Sequence, residues 1–239
     1  MGNLYQLLYF SIALFIASTS LSAQDQYYQN ALQLVARQNE AAEQAELPLA
    51  EVAELAISLE TLSQSGHEAF LFINELNIRA QQSANCYSFS LYVDPSLSDL
   101  QELRNSNNLQ RGPLRLLLDT YELTIKSWKE EEGLLQLNLE SPRPKNIAYI
   151  ARKFSEQDNV FLVEIPSLAQ KGPDIYSKKI YGGWLISYVY PYYDEQGQES
   201  TVEWQFGCNG QGEWSYLGQY GALPKNFEQK AQIIAPNNN

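Results

Sequence analysis

The chain of 239 residues has one histidine, one methionine and two cysteines. A Ser-His-Asp or Cys-His nucleophilic set would have to use that single imidazole, His67. It stands between Gly66 and Glu68 at the end of a helical pattern, where an exposed loop position is the ordinary explanation. No second histidine lies at metalloprotease spacing. Two distant cysteines and one histidine are too few for a zinc site. No Walker or dinucleotide fingerprint occurs. Gly207-Cys208-Asn209-Gly210-Gln211-Gly212 is rich in glycine, but it joins two strand patterns, and a phosphate cradle needs a helix N-terminus. The sequence therefore implies no catalytic set, no metal and no cofactor.

Positive charge is also scarce. Sixteen Lys and Arg face 28 Asp and Glu, for a net charge of −12. Such a chain repels phosphate backbones and anionic lipid, so nucleic acid is excluded as a partner. Half of the excess falls between residues 24 and 66, where Asp25, Glu40, Glu43, Glu46, Glu51, Glu54 and Glu60 meet only Arg37. A solvated helix face accounts for this, with a docking surface for a basic partner as the alternative.

Residues 1–23 lack charged side chains altogether. The apolar run 7–17 has the length of a signal h-region and is short for a membrane span. Ser18-Thr19-Ser20-Leu21-Ser22-Ala23 follows it and suits signal peptidase. The expectation is a cleaved leader and a secreted or periplasmic protein of bacterial type, with an uncleaved anchor as the alternative. No second long apolar run occurs, so no membrane span is expected once the leader is removed. Export gives the two cysteines a context. Cys86 and Cys208 invite one disulfide, with two buried free thiols as the other possibility.

What the chain has in quantity is pattern. Residues 25–45 are rich in Gln, Ala and Glu and predict a helix that Pro48 stops. Leu49, Val52, Leu55, Ala56, Leu59 and Leu62 then recur at helical spacing. Residues 69–79 fit either helix or strand. From Cys86 the grammar changes. A strand over 86–93 is followed by helical patterns at 97–103 and 113–118. Tyr121, Leu123 and Ile125 alternate as a strand, Glu130-Glu131-Glu132-Gly133 makes a turn, and Leu135, Leu137 and Leu139 return. Ile147, Ile150, Ala151 and Phe154 form a helix stripe, and 160–165 is a last strand. The order β-α-β-β-α-β is the ferredoxin-like pattern.

Residues 175–217 read as strands alone, with turns at Gly182-Gly183, Asp194–Gly197 and Asn209–Gly212. They hold Tyr181, Trp184, Tyr188, Tyr190, Tyr192, Tyr193, Trp204, Trp214, Tyr216 and Tyr220. Alternation puts Trp184, Ile186, Tyr188 and Tyr190 on one face and Val202, Trp204, Phe206 and Cys208 on another, one of which must form the core. Any aromatic ring left exposed offers a flat platform for sugar or peptide. Asp119, Glu122, Asp194, Glu195, Glu199 and Glu203 are available for hydrolase-type acid–base work, but their spacing singles out no pair.

Residues 117–166 resemble the propeptide-inhibitor domains of subtilisin-type proteases. The likeness rests on the 121–125 and 135–139 strands, the helix of Ile147, Ile150 and Phe154, and the closing piece Asp158-Asn159-Val160-Phe161-Leu162-Val163-Glu164-Ile165-Pro166. It implies a ferredoxin-like fold whose following segment, Ser167-Leu168-Ala169-Gln170, enters a protease cleft. Where that family continues into a protease, this chain continues into strands.

The expected class is α+β. A signal peptide (1–23) precedes an acidic helical segment (24–82), a ferredoxin-like domain (83–168), an aromatic-rich antiparallel β-meander (172–223) and a tail (224–239) expected to be disordered. The expected function is non-catalytic binding of an unknown protein or small ligand, in a protease-inhibitor-like manner. The alternatives are a carbohydrate or peptide platform on the meander, and a hydrolase with a carboxylate pair.

Overall fold

The computed structural model describes residues 25–81, 84–96, 100, 103, 109, 111–166, 172–209, 211–224 and 227. The leader at 1–23, the segment 167–170 and, apart from 224 and 227, the tail lie outside the described residues. The protein is mixed α+β, with two antiparallel four-stranded sheets. Among the described residues no helix is long and apolar enough to cross a membrane. The chain forms two compact units. The first comprises 1–34, 49–81 and 171–239, and the second 35–48 and 82–170. Residues 24–82, one segment on composition, thus divide between them.

The second unit holds the end of helix α1 (25–39), α4 (Pro113–Thr120) and α5 (Ile147–Ser155). Its strands are β1 (Ser88–Val93), β2 (Thr124–Glu131), β3 (Leu134–Glu140) and β4 (Val160–Glu164), in the order β2-β3-β1-β4. Alternate residues of β1 and β3 bury one sheet face. Phe89, Leu91, Val93, Leu135, Leu137 and Leu139 pack with Leu114 and Leu118 of α4 and with Ile147, Ile150, Ala151 and Phe154 of α5. Helix α5 starts where Asn146 Oδ1 accepts from Tyr149 N at 3.1 Å. The same Asn146 donates from Nδ2 to the Asn39 carbonyl at 2.6 Å, which ties the end of α1 to α5. Helix α1 ends at 39, short of the expected 45, with Ala42 N donating to Asn39 O.

The 121–125 strand starts later than the alternation indicated. Tyr121 caps α4, Glu122 takes a left-handed φ of 55°, and β2 begins at Thr124. Leu123 is buried ahead of the strand, in the same core.

The first unit carries α2 (Leu49–Gln64) and α3 (Ala69–Glu75). Its strands are β5 (Asp174–Ile180), β6 (Gly183–Tyr193), β7 (Glu199–Asn209) and β8 (Trp214–Tyr220), each antiparallel to the next. The ambiguous stretch 69–79 is helical over α3, because His67 accepts from Phe70 N and Ala69 N at its start and Asn77 turns to a φ of 50° after its end. Registers correct the expected split of the sheet's aromatic rows. Trp184 faces Cys208, Ile186 faces Phe206, Tyr188 faces Trp204 and Tyr190 faces Val202. Directly opposite residues share a face, so both rows belong to one core. Phe70 packs on Tyr188 and Phe206, and Phe72 stacks on Trp204. Lys179 of β5 reaches Glu51 of α2 at 2.7 Å. Asp174, also buried, holds residue 81 by accepting from Gln81 N at 2.9 Å.

Candidate functional site

Cys86 and Cys208 correct the expected disulfide. Both are buried free thiols, one in each unit. Burial, with the Glu40 carboxylate adding to it, pushes the Cys86 thiol up from 9.0 to about 12. Burial alone pushes Cys208 up to about 11. Neither supplies a thiolate nucleophile at neutral pH.

His67 is not on an exposed loop. Its ring lies 4.4 Å from Tyr216 and 5.7 Å from both Phe206 and Trp214, centre to centre. Its Nδ1 accepts from Ala69 N at 3.2 Å, which assigns the ring proton to Nε2. The imidazole starts α3 and closes one end of the aromatic core.

The candidate carboxylates are spread over both units. Asp119 pairs with Arg115 at 2.6 Å. Glu122 meets Arg143 at 2.7 Å and Lys145 at 3.2 Å, and these cations hold its carboxyl below the usual carboxylate range. Asp194 accepts from Gln196 N and Gln198 N in the β6–β7 turn. Glu199 accepts from the Tyr193 hydroxyl, and Glu203 from Gln205 Nε2. Glu195 is exposed in the same turn. Glu46 and Glu122 do converge, but on Lys145 and Arg143. A general acid needs its proton near neutral pH, and Glu122, held low by Lys145 and Arg143, does not keep one there. Among the described residues no cluster of three His, Cys, Asp or Glu is placed to hold a metal ion.

The outer face of the β5–β8 sheet carries exposed tyrosines. Register places Tyr176 of β5 opposite Ser187, and Tyr220 of β8 opposite Glu203, which faces Val189. Tyr176 and Tyr220 thus stand on the two edge strands, about 14 Å apart across the sheet and offset by two residues, about 7 Å, along it. Tyr193, 70% exposed, ends the same face on β6. Between the rings lie the half-buried Glu203 and Gln205, with Gln205 donating to Glu203 at 2.7 Å, beside Val189 and the buried Ser187. The four Trp residues are absent from this face. Trp184 and Trp204 are buried on the other side, Trp214 faces His67, and Trp128 belongs to the second unit.

At the far end of the sheet from Tyr193 is a shallow groove of about 370 Å³. Tyr181, fully exposed in the β5–β6 turn, and Ile180 form one wall. Asn209, Glu213 and Ser215 supply polar groups opposite. Asn209 is held rigid, with Oδ1 accepting from Gln211 N and Glu213 N while Nδ2 donates to Glu213 Oε2 at 2.7 Å. The floor is glycine. A Cβ at Gly183 would collide with the Cys208 carbonyl oxygen, and one at Gly207 would come within 3.1 Å of Ser215 Oγ. A glycine inside a strand marks close approach of another group: at Gly183 that group is the backbone of Cys208, and at Gly207 it is the side chain of Ser215. The glycine-rich run after Gly207 is a strand end and a turn, with Gly210 outside the described residues.

The sequence signalled the tyrosines but not their arrangement. Gly183 and Gly207 read as turn residues, and nothing in one strand's pattern shows which residues of the next lie beside it. No family model, curated protein or solved structure matches the chain.

Proposed function

We propose that the protein is an exported, non-catalytic binding protein that recognises a carbohydrate chain on the outer face of its C-terminal β-meander. The observation that carries this reading is the set of solvent-facing tyrosines around a polar strip and a glycine-floored groove. Sugar rings stack their C–H faces on aromatic rings and spend their hydroxyls on fixed amide and carboxylate groups. Tyr181, Tyr176, Tyr193 and Tyr220 offer the rings; Asn209, Glu213, Ser215 and Gln205 offer the polar partners. The groove is open, which suits a chain ligand better than a small enclosed one. The uncharged apolar leader supports an address outside the cytoplasm. The β-α-β-β-α-β element order and the strand order β2-β3-β1-β4 support reading the second unit as a ferredoxin-like scaffold. A protease-inhibitor-like role rests on the resemblance of 117–166 and needs 167–170 to act.

The test is titration of the secreted protein with neutral oligosaccharides, followed by calorimetry and by the emission of Trp214, which lines the groove. Tyr181→Ala is expected to weaken binding about tenfold, the worth of one stacking contact. Gly207→Val, which fills the floor, is expected to abolish it. Absence of binding across a glycan panel, or binding indifferent to both substitutions, refutes the platform.

A further inference from the structure

Beyond the saccharide surface, on the other unit, we infer that the outer edge of β4 is a docking strand for an extended apolar peptide segment with basic flanks, supplied by a partner protein. The two edges of the β2-β3-β1-β4 sheet are built differently. At the β2 edge, Lys126, Lys129, Glu130 and Glu131 line the strand, and a bulge interrupts its register between Ile125 and Ser127. Charges and bulges on an edge are the ordinary defence against pairing with another chain. β4 reads Val160-Phe161-Leu162-Val163-Glu164 and has no lysine and no proline. Its inner side pairs with β1 through residues 90–93, and among the described residues no strand pairs with its outer side.

The side chains agree with the backbone. Phe161 is 64% exposed, Leu162 48% and Ile165 37%. Phe161 occupies the irregularity where Tyr92 pairs with Leu162 and Val93 with Val160, so it has no direct partner on β1. Phe161 and Leu162 stay in water on a strand with an open edge, and Ile165 follows directly after it. Strand addition uses both features, since main-chain hydrogen bonds give affinity and side chains of the added strand meet Phe161 and Leu162.

Charge selects the occupant. Residues 156–166 contain Glu156, Asp158 and Glu164 and no cation. Lys153, the nearest in sequence, is engaged by Glu156 at 2.8 Å. Glu164 accepts from the Tyr92 hydroxyl at 2.9 Å, and Glu131 and Glu132 add their field at that hydroxyl. A second copy of this chain would bring Asp158 and Glu164 against acids of the same strand in either direction of pairing, which is repulsive. An apolar strand flanked by Lys or Arg meets apolar side chains at its centre and carboxylates at its ends.

The experiment uses the full exported chain and a short synthetic peptide of alternating Val and Thr with lysines at both ends. Binding is followed by anisotropy, and backbone amide shifts at 160–165 by NMR. The expected result is saturable binding with shifts concentrated on β4. It should weaken at least about tenfold when the flanking lysines become glutamates, and equally in F161K/L162K. Both altered side chains are already in water, and circular dichroism confirms the fold of the variant. Tyr181→Ala should leave peptide binding unchanged, which separates this surface from the saccharide face. Equal binding of the glutamate-flanked peptide, retained binding by F161K/L162K, or shifts elsewhere would overturn the inference. So would a dimer in sedimentation equilibrium that F161K/L162K dissolves, because the edge would then serve self-pairing.

Discussion

Lys145 keeps only 2% of its side chain exposed, with Nζ at 2.9 Å from Glu46 Oε1 and 3.2 Å from Glu122 Oε2. Arg143 bridges the same two carboxylates from the solvent side. A lysine buried this far persists because it is paired. The two acids are about half exposed and can hydrate if left alone, whereas the ammonium cannot. Removing the acids should therefore cost more than removing the lysine. Urea unfolding is expected to show E46Q/E122Q destabilised more than Lys145→Met, because the first leaves a buried ammonium uncompensated; the reverse order would contradict the account. The pH dependence has a definite sign. Glu122 is held below its ordinary value by the hydrogen bonds and charges of Lys145 and Arg143. Its contribution is thus complete above the ordinary carboxylate pKa and is lost as pH falls through the lowered one. The thiols run the other way. Cys86 and Cys208 are raised from 9.0 to about 12 and about 11, so their contribution is complete below 9.0 and is lost as pH rises through those values. Without reductant, iodoacetamide at neutral pH should leave the native protein unmodified and add two groups in denaturant. No adducts in denaturant would mean a disulfide.

Elements were legible where one period ran without interruption. The stripe Ile147, Ile150, Ala151 and Phe154 gave α5, and all four residues are buried. The alternation of Leu135, Leu137 and Leu139 gave β3 with the correct inner face. Legibility failed where a single residue changes the phase. Glu122 reverses the chain after α4, and the β2 bulge then carries Ile125 and Trp128, three apart, to the same core. A period-two count across 121–125 cannot see either event. The candidate site failed for a different reason. Alternation within β6 and within β7 was plain, but the β6–β7 turn decides which residues are opposite, and only that pairing places Gly207 beside Leu185 and Ser215. The β2–β3 hairpin shows what turn chemistry can still correct. Its two-residue loop puts Glu132 at φ 53° and Gly133 at φ 82°, the signature of a type I′ turn, which prefers Asn-Gly. Glu132→Asn relieves a left-handed glutamate and is expected to stabilise the protein by about 0.5 kcal/mol, read as a higher urea midpoint at unchanged slope. A lower midpoint would show that Glu132 makes a contact worth more than its backbone strain.

At the scale of the whole molecule, the net charge of −12 gives the two proposed surfaces different responses to salt. A neutral saccharide carries no charge for that field to act on, and stacking on Tyr181 with hydrogen bonds to Asn209 and Ser215 is local. A lysine-flanked strand on β4 is drawn by Asp158 and Glu164 at its ends and by the acidic excess beyond them. Exposed charges are screened over about 10 Å at 0.1 M salt and about 3 Å at 1 M, so the more distant acids drop out first. Between about 0.05 M and 0.5 M salt, saccharide affinity is expected to stay within twofold while peptide affinity falls about tenfold. The fall should lie mostly in the association rate, because screened steering slows encounter more than it loosens a formed strand pair. A saccharide isotherm that weakens with salt would mean that the ligand is cationic and held by Glu213 and Glu203 in place of the rings. A peptide isotherm indifferent to salt would leave apolar contact with Phe161, Leu162 and Ile165 as its only source, and basic flanks would no longer describe the partner.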